Sequence, residues 1–269
     1  MNVVVLGANG MAGHIISKYL RTCGFGVTDV TREQTNFENK AEIDNWFHSL
    51  TDCDYVINCI GLLVSESVTS PDRAIILNGW LPHYLESLFS KQSTKLIHLS
   101  TDCVFDGKEG NYFEKDLHTE TNFYGRSKSI GEIDNDKDVT FRMSIIGPEI
   151  KESGTGLFHW FVNKSPDTVD GWDNALWNGI TTLQLAKCII THMLNPGQTG
   201  IVHLVSNTNK ISKYDLLEKI NTIFSVGKTV NKVSGPKTVN KCLINTKKEH
   251  SIPDYDTQLN ELKHFIQTV

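Results

Sequence analysis

The sequence predicts an α/β fold built on a doubly wound parallel sheet, and three observations favour it. Short apolar runs, typical of buried strands, alternate with amphipathic stretches of helical period through the first half of the chain. Glycines follow the first run at Gly7, Gly10 and Gly13. The 269 residues, 39% of them hydrophobic and 21% charged, are enough for one large core. Right-handed crossover connections through helices would make these strands parallel.

The elements follow in order along the chain. Strands are predicted near residues 2–6, 26–30, 54–59, 95–99 and 138–142, with helices near 11–22, 40–49, 72–91 and 123–133. Beyond Gly147-Pro148 the alternation loosens. There we predict helices near 181–194, 212–224 and 256–267, and short strands near 201–204 and 229–233. The chain therefore divides into residues 1–148, which hold the main sheet, and residues 149–269, a smaller α/β cap that contributes partly to the sheet.

The first strand leads directly into a glycine-rich turn. Asn2–Leu6 runs into Gly7-Ala8-Asn9-Gly10-Met11-Ala12-Gly13 and then into a helical pattern. Gly7 permits a tight turn, Gly10 lets the backbone approach a diphosphate, and Gly13 lets the helix pack closely. Glycines alone are weak evidence, because any strand-to-helix turn needs them. Strand, glycine turn and helix together predict a Rossmann-type dinucleotide site, to which we assign Gly7, Asn9, Gly10, Met11 and Gly13.

A threonine, a tyrosine and a lysine form the candidate catalytic set. Thr101 follows the apolar run Lys95–Leu99, and Tyr124 and Lys128 form a Tyr-x-x-x-Lys pattern. A phenol has an ordinary pKa of about 10, and a lysine four residues further along a helix is predicted to lower it. The threonine hydroxyl would hold a carbonyl oxygen against the same phenol. This set predicts redox chemistry at a carbonyl or alcohol, with a nicotinamide cofactor carrying the hydride.

Two further strand ends are predicted to border the cofactor. Cys59, Ile60 and Gly61 end the strand near 54–59, and we expect them to line the crevice. Arg32 follows the second strand, where its guanidinium would suit a 2′-phosphate and favour NADPH over NADH. Asp29 is the alternative, because a carboxylate there would hold a free 2′-hydroxyl.

Several function classes find no support in the composition. The net charge of −5 gives no reason to expect nucleic acid, and no apolar run approaches the roughly 20 residues that span a bilayer. The first strand begins at Asn2, which leaves no room for a signal peptide. The six cysteines and ten histidines show no metal-binding spacing, so no metal is predicted. We expect a cytoplasmic protein with reduced cysteines.

The motifs resemble those of the extended short-chain dehydrogenase/reductase superfamily and, within it, the dTDP-4-dehydrorhamnose reductase family. The resemblance lies in the glycine turn, in Ser-Thr-Asp-Cys-Val-Phe-Asp-Gly at 100–107 and in Tyr-Gly-Arg-Ser-Lys at 124–128. It implies NAD(P)H-dependent reduction of the C4 keto group of a nucleotide-linked 4-keto-6-deoxyhexose. Thr101, Tyr124 and Lys128 stand at the family's catalytic positions. Asn78 stands where the family orients the lysine beside the cofactor.

Departures from the family pattern leave alternatives open. Residues 144–148 and 177–183 resemble a branch found beside pathways for UDP-linked N-acetylated deoxysugars. Cys103 stands where related GDP-fucose synthetases use a cysteine as an epimerisation acid/base, so a bifunctional 3,5-epimerase/4-reductase is one alternative. A non-catalytic nucleotide-binding regulatory subunit is another. The resemblance disfavours a dehydratase, because dehydratases of the superfamily carry Asp-Glu directly after the catalytic threonine and this chain has Asp102 and Cys103 there.

The substrate partner is expected to be a nucleotide sugar, and four residues are assigned to it. Asp102 and Cys103 adjoin the catalytic threonine, and Trp177 and Asn178 lie in the aromatic-rich second half. Packing in a core is the alternative role for the tryptophan. The sequence leaves the oligomeric state open, with a homodimer as one alternative.

Overall fold

The structure, a computed structural model, describes residues 1–206, 210–247 and 250–268. Its strands are β1 (Asn2–Leu6), β2 (Gly26–Val30), β3 (Tyr55–Asn58), β4 (Lys95–Thr101), β5 (Val139–Met143), β6 (Ile145–Ile146), β7 (Thr168–Trp172), β8 (Ala175–Trp177), β9 (Ile180–Thr181), β10 (Gly200–His203), β11 (Ile211–Ser212), β12 (Thr229–Val233) and β13 (Val239–Asn240). Its α-helices are α1 (Met11–Thr22), α2 (Lys40–Ser49), α3 (Val64–Thr69), α4 (Pro71–Ala74), α5 (Leu81–Phe89), α6 (Phe123–Ile130), α7 (Leu157–Asn163), α8 (Thr182–Leu194), α9 (Lys213–Phe224) and α10 (Tyr255–Thr268). In these described ranges, no helix has the length and apolar character needed to cross a membrane.

Six parallel strands form the central sheet, in the order β10-β5-β4-β3-β1-β2. The predicted α/β fold with a parallel sheet is confirmed. The chain reverses its direction of travel across the sheet between β1 and β3, and open α/β sheets bind ligands at such a point. The edge strand β10 comes from the second half of the chain and pairs with β5.

Both faces of the sheet are covered, which explains why its strands are apolar without alternation. Val3 and Val5 of β1 pack on one face with residues of α1 and α8. Val4 and Leu6 pack on the other face with residues of α2 and α5. Burial of such a side chain contributes about 1.5–3 kcal/mol, so β1 is anchored from both sides at the strand end that carries the glycine turn.

The predicted helix near 72–91 is interrupted. A π-helical turn, Ile75–Trp80, separates α4 from α5. Asn78 in this turn is fully buried, and its side chain bonds the backbone of Leu62 instead of solvent. Such a turn is frequent at functional sites, and it brings Asn78 towards the end of β3.

The second half contains more strands than the sequence patterns predict. Strand β7 pairs with β12 in parallel, and β8 lies between β11 and β13. Several of these strands have only two or three residues. Such short segments carry no detectable period, so the sequence patterns predict neither these strands nor the seven-residue helix α7.

Candidate active site

The glycine turn brings the carboxyl ends of β1 and β3 together. Gly7 has a φ of +73°, in the left-handed region that favours glycine. A Cβ at Gly7 would lie 3.2 Å from Ile60 Cγ1 and 3.3 Å from the carbonyl oxygen of Cys59. A Cβ at Gly13 would lie only 2.3 Å from the carbonyl oxygen of Gly7. Helix α1 therefore lies directly on the turn, and its N-terminal amides start at Gly10, which has no side chain to cap them.

Lys128 is buried beneath the ends of β3 and β4. Its Nζ donates a hydrogen bond of 2.6 Å to the backbone carbonyl of Leu99. A Cβ at Gly61 would lie 3.1 Å from Asn78 Oδ1 and 3.9 Å from Lys128 Nζ, so these two side chains converge on Gly61. Burial lowers the pKa of Lys128 to about 8, against the opposing effects of Glu132 and Cys59.

Asn78 is held firmly beside this lysine. Its Oδ1 accepts from the amide of Leu62 at 2.8 Å, and its Nδ2 donates to Ser127 Oγ at 3.1 Å. Ser127 immediately precedes Lys128 on α6. The amide side chain thus joins the π-helical turn to the helix that carries Lys128 and Tyr124.

Thr101 and Tyr124 face one another across the junction of β4 and α6. Thr101 is the last residue of β4, and its Oγ1 accepts from the amide of Cys103 at 3.1 Å and donates to Asp102 Oδ1 at 3.2 Å. Tyr124 is the second residue of α6 and is half-buried. Burial raises the pKa of Tyr124 well above its ordinary value, Cys103 raises it further, and a hydrogen bond with Thr101 opposes the rise.

The predicted lowering of the pKa of Tyr124 by Lys128 is therefore wrong for this structure. The ammonium of Lys128 bonds the carbonyl of Leu99, while burial and the Cys103 thiol act on the phenol. Tyr124 consequently keeps its proton at neutral pH. In this state it can donate a proton to an oxygen that becomes negatively charged.

Helix α6 is seated against the turn that follows β4. Asn122 caps the helix, with its Oδ1 accepting from the amide of Gly125 at 2.9 Å. A Cβ at Gly125 would lie 2.3 Å from the carbonyl oxygen of Cys103. Glycine at this position lets the helix approach closely, and the approach places Tyr124 beside Thr101.

Asp102 and Cys103 form a 3₁₀ turn, Asp102–Val104, next to this pair. Burial raises the pKa of Asp102, and Lys241 is the first of the groups that oppose the rise. Burial and the Asp102 carboxyl raise the pKa of Cys103 to about 12. Cys103 is thus a neutral thiol at neutral pH, a form that does not suit the base needed to begin an epimerisation.

Two residues that the sequence analysis did not assign also lie here. Lys241 Nζ is 3.0 Å from Glu120 Oε2, with side chains that are 18% and 13% exposed. Glu120 in turn accepts from the amides of Thr121 and Asn122 at the start of α6. The pair joins positions 121 residues apart, and neither residue belongs to a recognisable motif.

A buried ionic network lies behind the site. Arg142 on β5 makes two hydrogen bonds with Glu132, of 2.8 and 2.5 Å, and it also contacts His118 and His203. Ser100, next to the catalytic threonine, donates to the same carboxylate. Burial raises the pKa of Glu132, but hydrogen bonds from Arg142 and His118 outweigh it and lower the pKa to about 2. The stability that this carboxylate contributes is full above its ordinary pKa of 4.5 and is lost as the pH falls towards about 2.

We expect Arg142→Met to reduce the free energy of unfolding by about 3–5 kcal/mol, because it leaves a buried carboxylate without its cation. Urea unfolding at neutral pH would measure the loss. Arg21→Met is the control, since Arg21 pairs with Asp29 at the surface and its loss should cost below about 1 kcal/mol. Equal losses in the two variants would contradict the role given to the buried network.

The other two residues assigned to substrate, Trp177 and Asn178, have partners within the second half of the chain. Trp177 is buried and stacks on Tyr255, with ring centroids 5.4 Å apart, in the core of the second half. Asn178 is buried and exchanges hydrogen bonds of 2.8 and 3.0 Å with the backbone of Leu243. The structure thus gives both side chains packing and backbone-holding roles, and their contact with substrate stays a prediction.

On the cofactor side, Arg32 is exposed at the end of β2 and lies 3.2 Å from Glu38. Asp29, the alternative ribose ligand, is paired with Arg21 at 2.8 Å. Asn9 is exposed on the glycine turn. Met11 contacts the loop before α7, since a Cβ at Gly156 would lie 2.5 Å from its Cε.

Most of this sequence matches the model of a known protein family. The sequence model described as "RmlD substrate binding domain" matches residues 1–242. The chain belongs to the RmlD family. The resemblance that the motifs indicated is therefore confirmed.

Three relatives of this RmlD family chain match different shares of its length. A spore coat polysaccharide biosynthesis protein of Bacillus subtilis is 29% identical over 132 residues, 48% of this chain and 46% of that protein. The match therefore spans about half the length of that relative. A dTDP-4-keto-6-deoxy-D-glucose reductase of Streptomyces niveus is 27% identical over 227 residues, 79% of this chain and 75% of that protein. The beta subunit of methionine adenosyltransferase 2 from Rattus norvegicus is 26% identical over 247 residues, 83% and 72% of the two chains.

Solved structures agree on the fold of the RmlD family chain. A dTDP-4-dehydrorhamnose reductase from Bacillus anthracis, crystallised with NADP, superposes with a TM-score of 0.84 at 18% identity, covering 99% of both chains. A UDP-glucose 4-epimerase from Thermotoga maritima superposes with a TM-score of 0.78 at 17% identity, covering 100% of this chain and 99% of the other. At such identities the likeness shows a shared fold.

Proposed function

We propose that the chain is an NAD(P)H-dependent reductase that acts on the C4 keto group of a nucleotide-linked 4-keto-6-deoxyhexose. The observation that carries the proposal is the meeting of Thr101, protonated Tyr124 and buried Lys128 at the sheet edge that holds the glycine turn. Membership of the RmlD family and the Streptomyces niveus relative support the substrate class.

The residues present fit a nicotinamide dinucleotide. Gly7 and Gly13 let helix α1 pack directly on the turn, and the first amides of α1 have no side-chain cap, so they are free to act as anion donors. These residues would hold the diphosphate, and Gly61, Asn78 and Lys128 would border the nicotinamide ribose. The bound cofactor supplies the hydride that reaches C4.

The side chains of the chain handle the oxygen and its proton. Thr101 turns its hydroxyl from Asp102 to the C4 carbonyl, which the phenol of Tyr124 also bonds. Tyr124 donates its proton to the oxygen as negative charge develops there, because its raised pKa keeps that proton in place until then. Lys128, whose pKa of about 8 keeps it largely cationic at neutral pH, would donate to the nicotinamide ribose beside Asn78.

Arg32 is proposed to select NADPH. We expect Arg32→Ala to raise the KM for NADPH about tenfold, the equivalent of one charge-assisted contact of about 1.4 kcal/mol, and to leave the KM for NADH unchanged. Steady-state kinetics with each cofactor would measure this. Lys40→Ala, which removes a surface cation paired with Asp44 on α2, is the control. An equal change with both cofactors would argue against contact with the 2′-phosphate.

The proposed function is tested by following NADPH oxidation with 4-keto-6-deoxyhexoses linked to dTDP, UDP and GDP, including an N-acetylated UDP sugar. Turnover of one of them would support the proposal and identify the nucleotide. NADPH binding without turnover of any of them would contradict it. That result would favour the alternative that the chain is a non-catalytic, nucleotide-binding regulatory subunit. The match to a methionine adenosyltransferase subunit is the observation that favours this alternative.

The epimerase alternative has its own readout. If Cys103 acts in a 3,5-epimerisation, solvent deuterium enters C3 or C5 of the sugar, and Cys103→Ala abolishes this exchange. The neutral thiol described above favours reduction without epimerisation.

A further inference from the structure

Lys241 occupies an unusual place for a lysine, half-buried beside the catalytic pair. It comes from the segment after β13, in the second half of the chain, whereas Thr101 and Tyr124 come from the first half. Its ammonium lies 3.0 Å from Glu120. Burial lowers the pKa of Lys241, whereas the bond with Glu120 and the ionised forms of Cys103 and Asp102 raise it, so all three residues lie near the ammonium. Two of these three residues directly follow Thr101 in the sequence.

The third partner places Lys241 near Tyr124 as well. A Cβ at Gly125 would lie 2.4 Å from Glu120 Cγ, so Glu120 covers the residue that follows Tyr124. The ammonium is therefore close to both chain segments whose hydroxyl groups would bind the C4 oxygen.

The backbone around Lys241 is fixed from both sides. The amide of Asn240 donates to the carbonyl of Gly107 at 2.7 Å, and the amide of Tyr112 donates to the carbonyl of Cys242 at 3.1 Å. A Cβ at Gly107 would lie 2.9 Å from Lys241 Cγ, so the lysine stem lies across the loop after the catalytic turn. An ammonium held in this way is preorganised at little further cost in entropy when a ligand binds.

We infer that Lys241 is a substrate-binding residue that donates a hydrogen bond to the oxygen on C3 of the hexose. This inference rests on the proposed function. An ammonium has three hydrogens, and its bond with Glu120 uses one of them. Of the two carbons beside C4, C5 carries the methyl group of a 6-deoxy sugar and the ring oxygen, whereas C3 carries a free oxygen. A donor beside the C4 oxygen site therefore has the C3 oxygen as its nearest acceptor.

The charge around Lys241 favours an uncharged sugar oxygen as the acceptor of its hydrogen bond. Glu120 already places a carboxylate 3.0 Å from the ammonium, so an acidic sugar substituent would meet that negative charge at close range. A hydroxyl oxygen accepts from the ammonium without adding charge. Lys241 would thus select sugars that keep an oxygen at C3.

The test measures binding of 6-deoxyglucose and 3,6-dideoxyglucose, each linked to dTDP, UDP and GDP, in the presence of NADP⁺. In the wild type we expect the 3-deoxy sugar to bind at least about tenfold more weakly with the preferred nucleotide. In Lys241→Met the two sugars should bind equally, while the Kd for NADP⁺ stays unchanged and shows that the chain is folded. Lys219→Met removes a lysine paired with Asp256 far along the chain, and it should retain the wild-type ratio.

A second variant separates direct contact from a positioning effect. Glu120→Gln removes the carboxylate but keeps Lys241, so the wild-type preference for the C3 oxygen should persist. A preference that persists in Lys241→Met, or that disappears equally in Glu120→Gln, would overturn the inference. Failure of the wild type to bind any of these nucleotide sugars would instead overturn the proposed function.

Discussion

Replacing Tyr124 by phenylalanine is expected to lower kcat about a thousandfold, the range found when a general acid is removed. The substitution deletes only the hydroxyl, so the ring still packs at the start of α6 and the glycine turn is untouched. The Kd for NADPH should therefore remain at its wild-type value. Steady-state kinetics with the active sugar from the nucleotide panel, together with fluorescence titration of NADPH, would measure both quantities.

Tyr84→Phe is the matched control for this variant. Tyr84 lies on α5, and its hydroxyl bonds Asp44 of α2, on the outer side of the sheet. Its loss should leave kcat unchanged. If Tyr124→Phe kept more than about a tenth of the wild-type kcat, general acid catalysis by this phenol would be excluded.

Gly13→Ala is expected to weaken NADPH binding by about a hundredfold, the equivalent of losing about 2.8 kcal/mol of contacts between the α1 amides and the diphosphate. The added methyl group would stand 2.3 Å from the carbonyl oxygen of Gly7 and 2.9 Å from Ala8 Cα, and both are backbone atoms. Helix α1 must therefore move away from the glycine turn, and its first amides, which are proposed to bind the diphosphate, move with it. Titration of NADPH would measure the change.

Gly24→Ala tests whether any glycine substitution near α1 has this effect. Gly24 follows the other end of the helix with a φ of +83°, so alanine is strained there, but its Cβ would meet no described atom within 4 Å. We expect a lower melting temperature and an unchanged Kd for NADPH. Equal weakening in the two variants would show that contact of α1 with the turn does not set the affinity.

The parts of the site that the sequence could predict are local. The strand, turn and helix that contain Gly7 and Gly13 are continuous in the chain, and steric rules link each glycine to its position. The spacing of Tyr124 and Lys128 likewise follows from the period of one helix. Local rules of this kind do not include the burial that raises the pKa of Tyr124, because that burial depends on the packing of distant elements.

Long-range contacts explain what the sequence did not predict. Lys241 meets Glu120 across 121 residues, and no pattern in either segment indicates the pair. The aromatic-rich composition of the second half is what assigns Trp177 and Asn178 to substrate. In the structure Asn178 holds the backbone of Leu243, two residues beyond Lys241, and contact of Trp177 and Asn178 with substrate stays a prediction.

The pairing of β10 with β5 has a consequence for synthesis on the ribosome. Residues 1–148 contain every proposed catalytic side chain, yet a nascent chain of that length would leave β5 as an open edge. Arg142 on that strand would also lack His203, its partner from β10. Strand β10 can pair with β5 and complete the central sheet only after residue 203 has left the exit tunnel. Until then the first half has an unpaired strand edge, which is a site where another chain can pair with it.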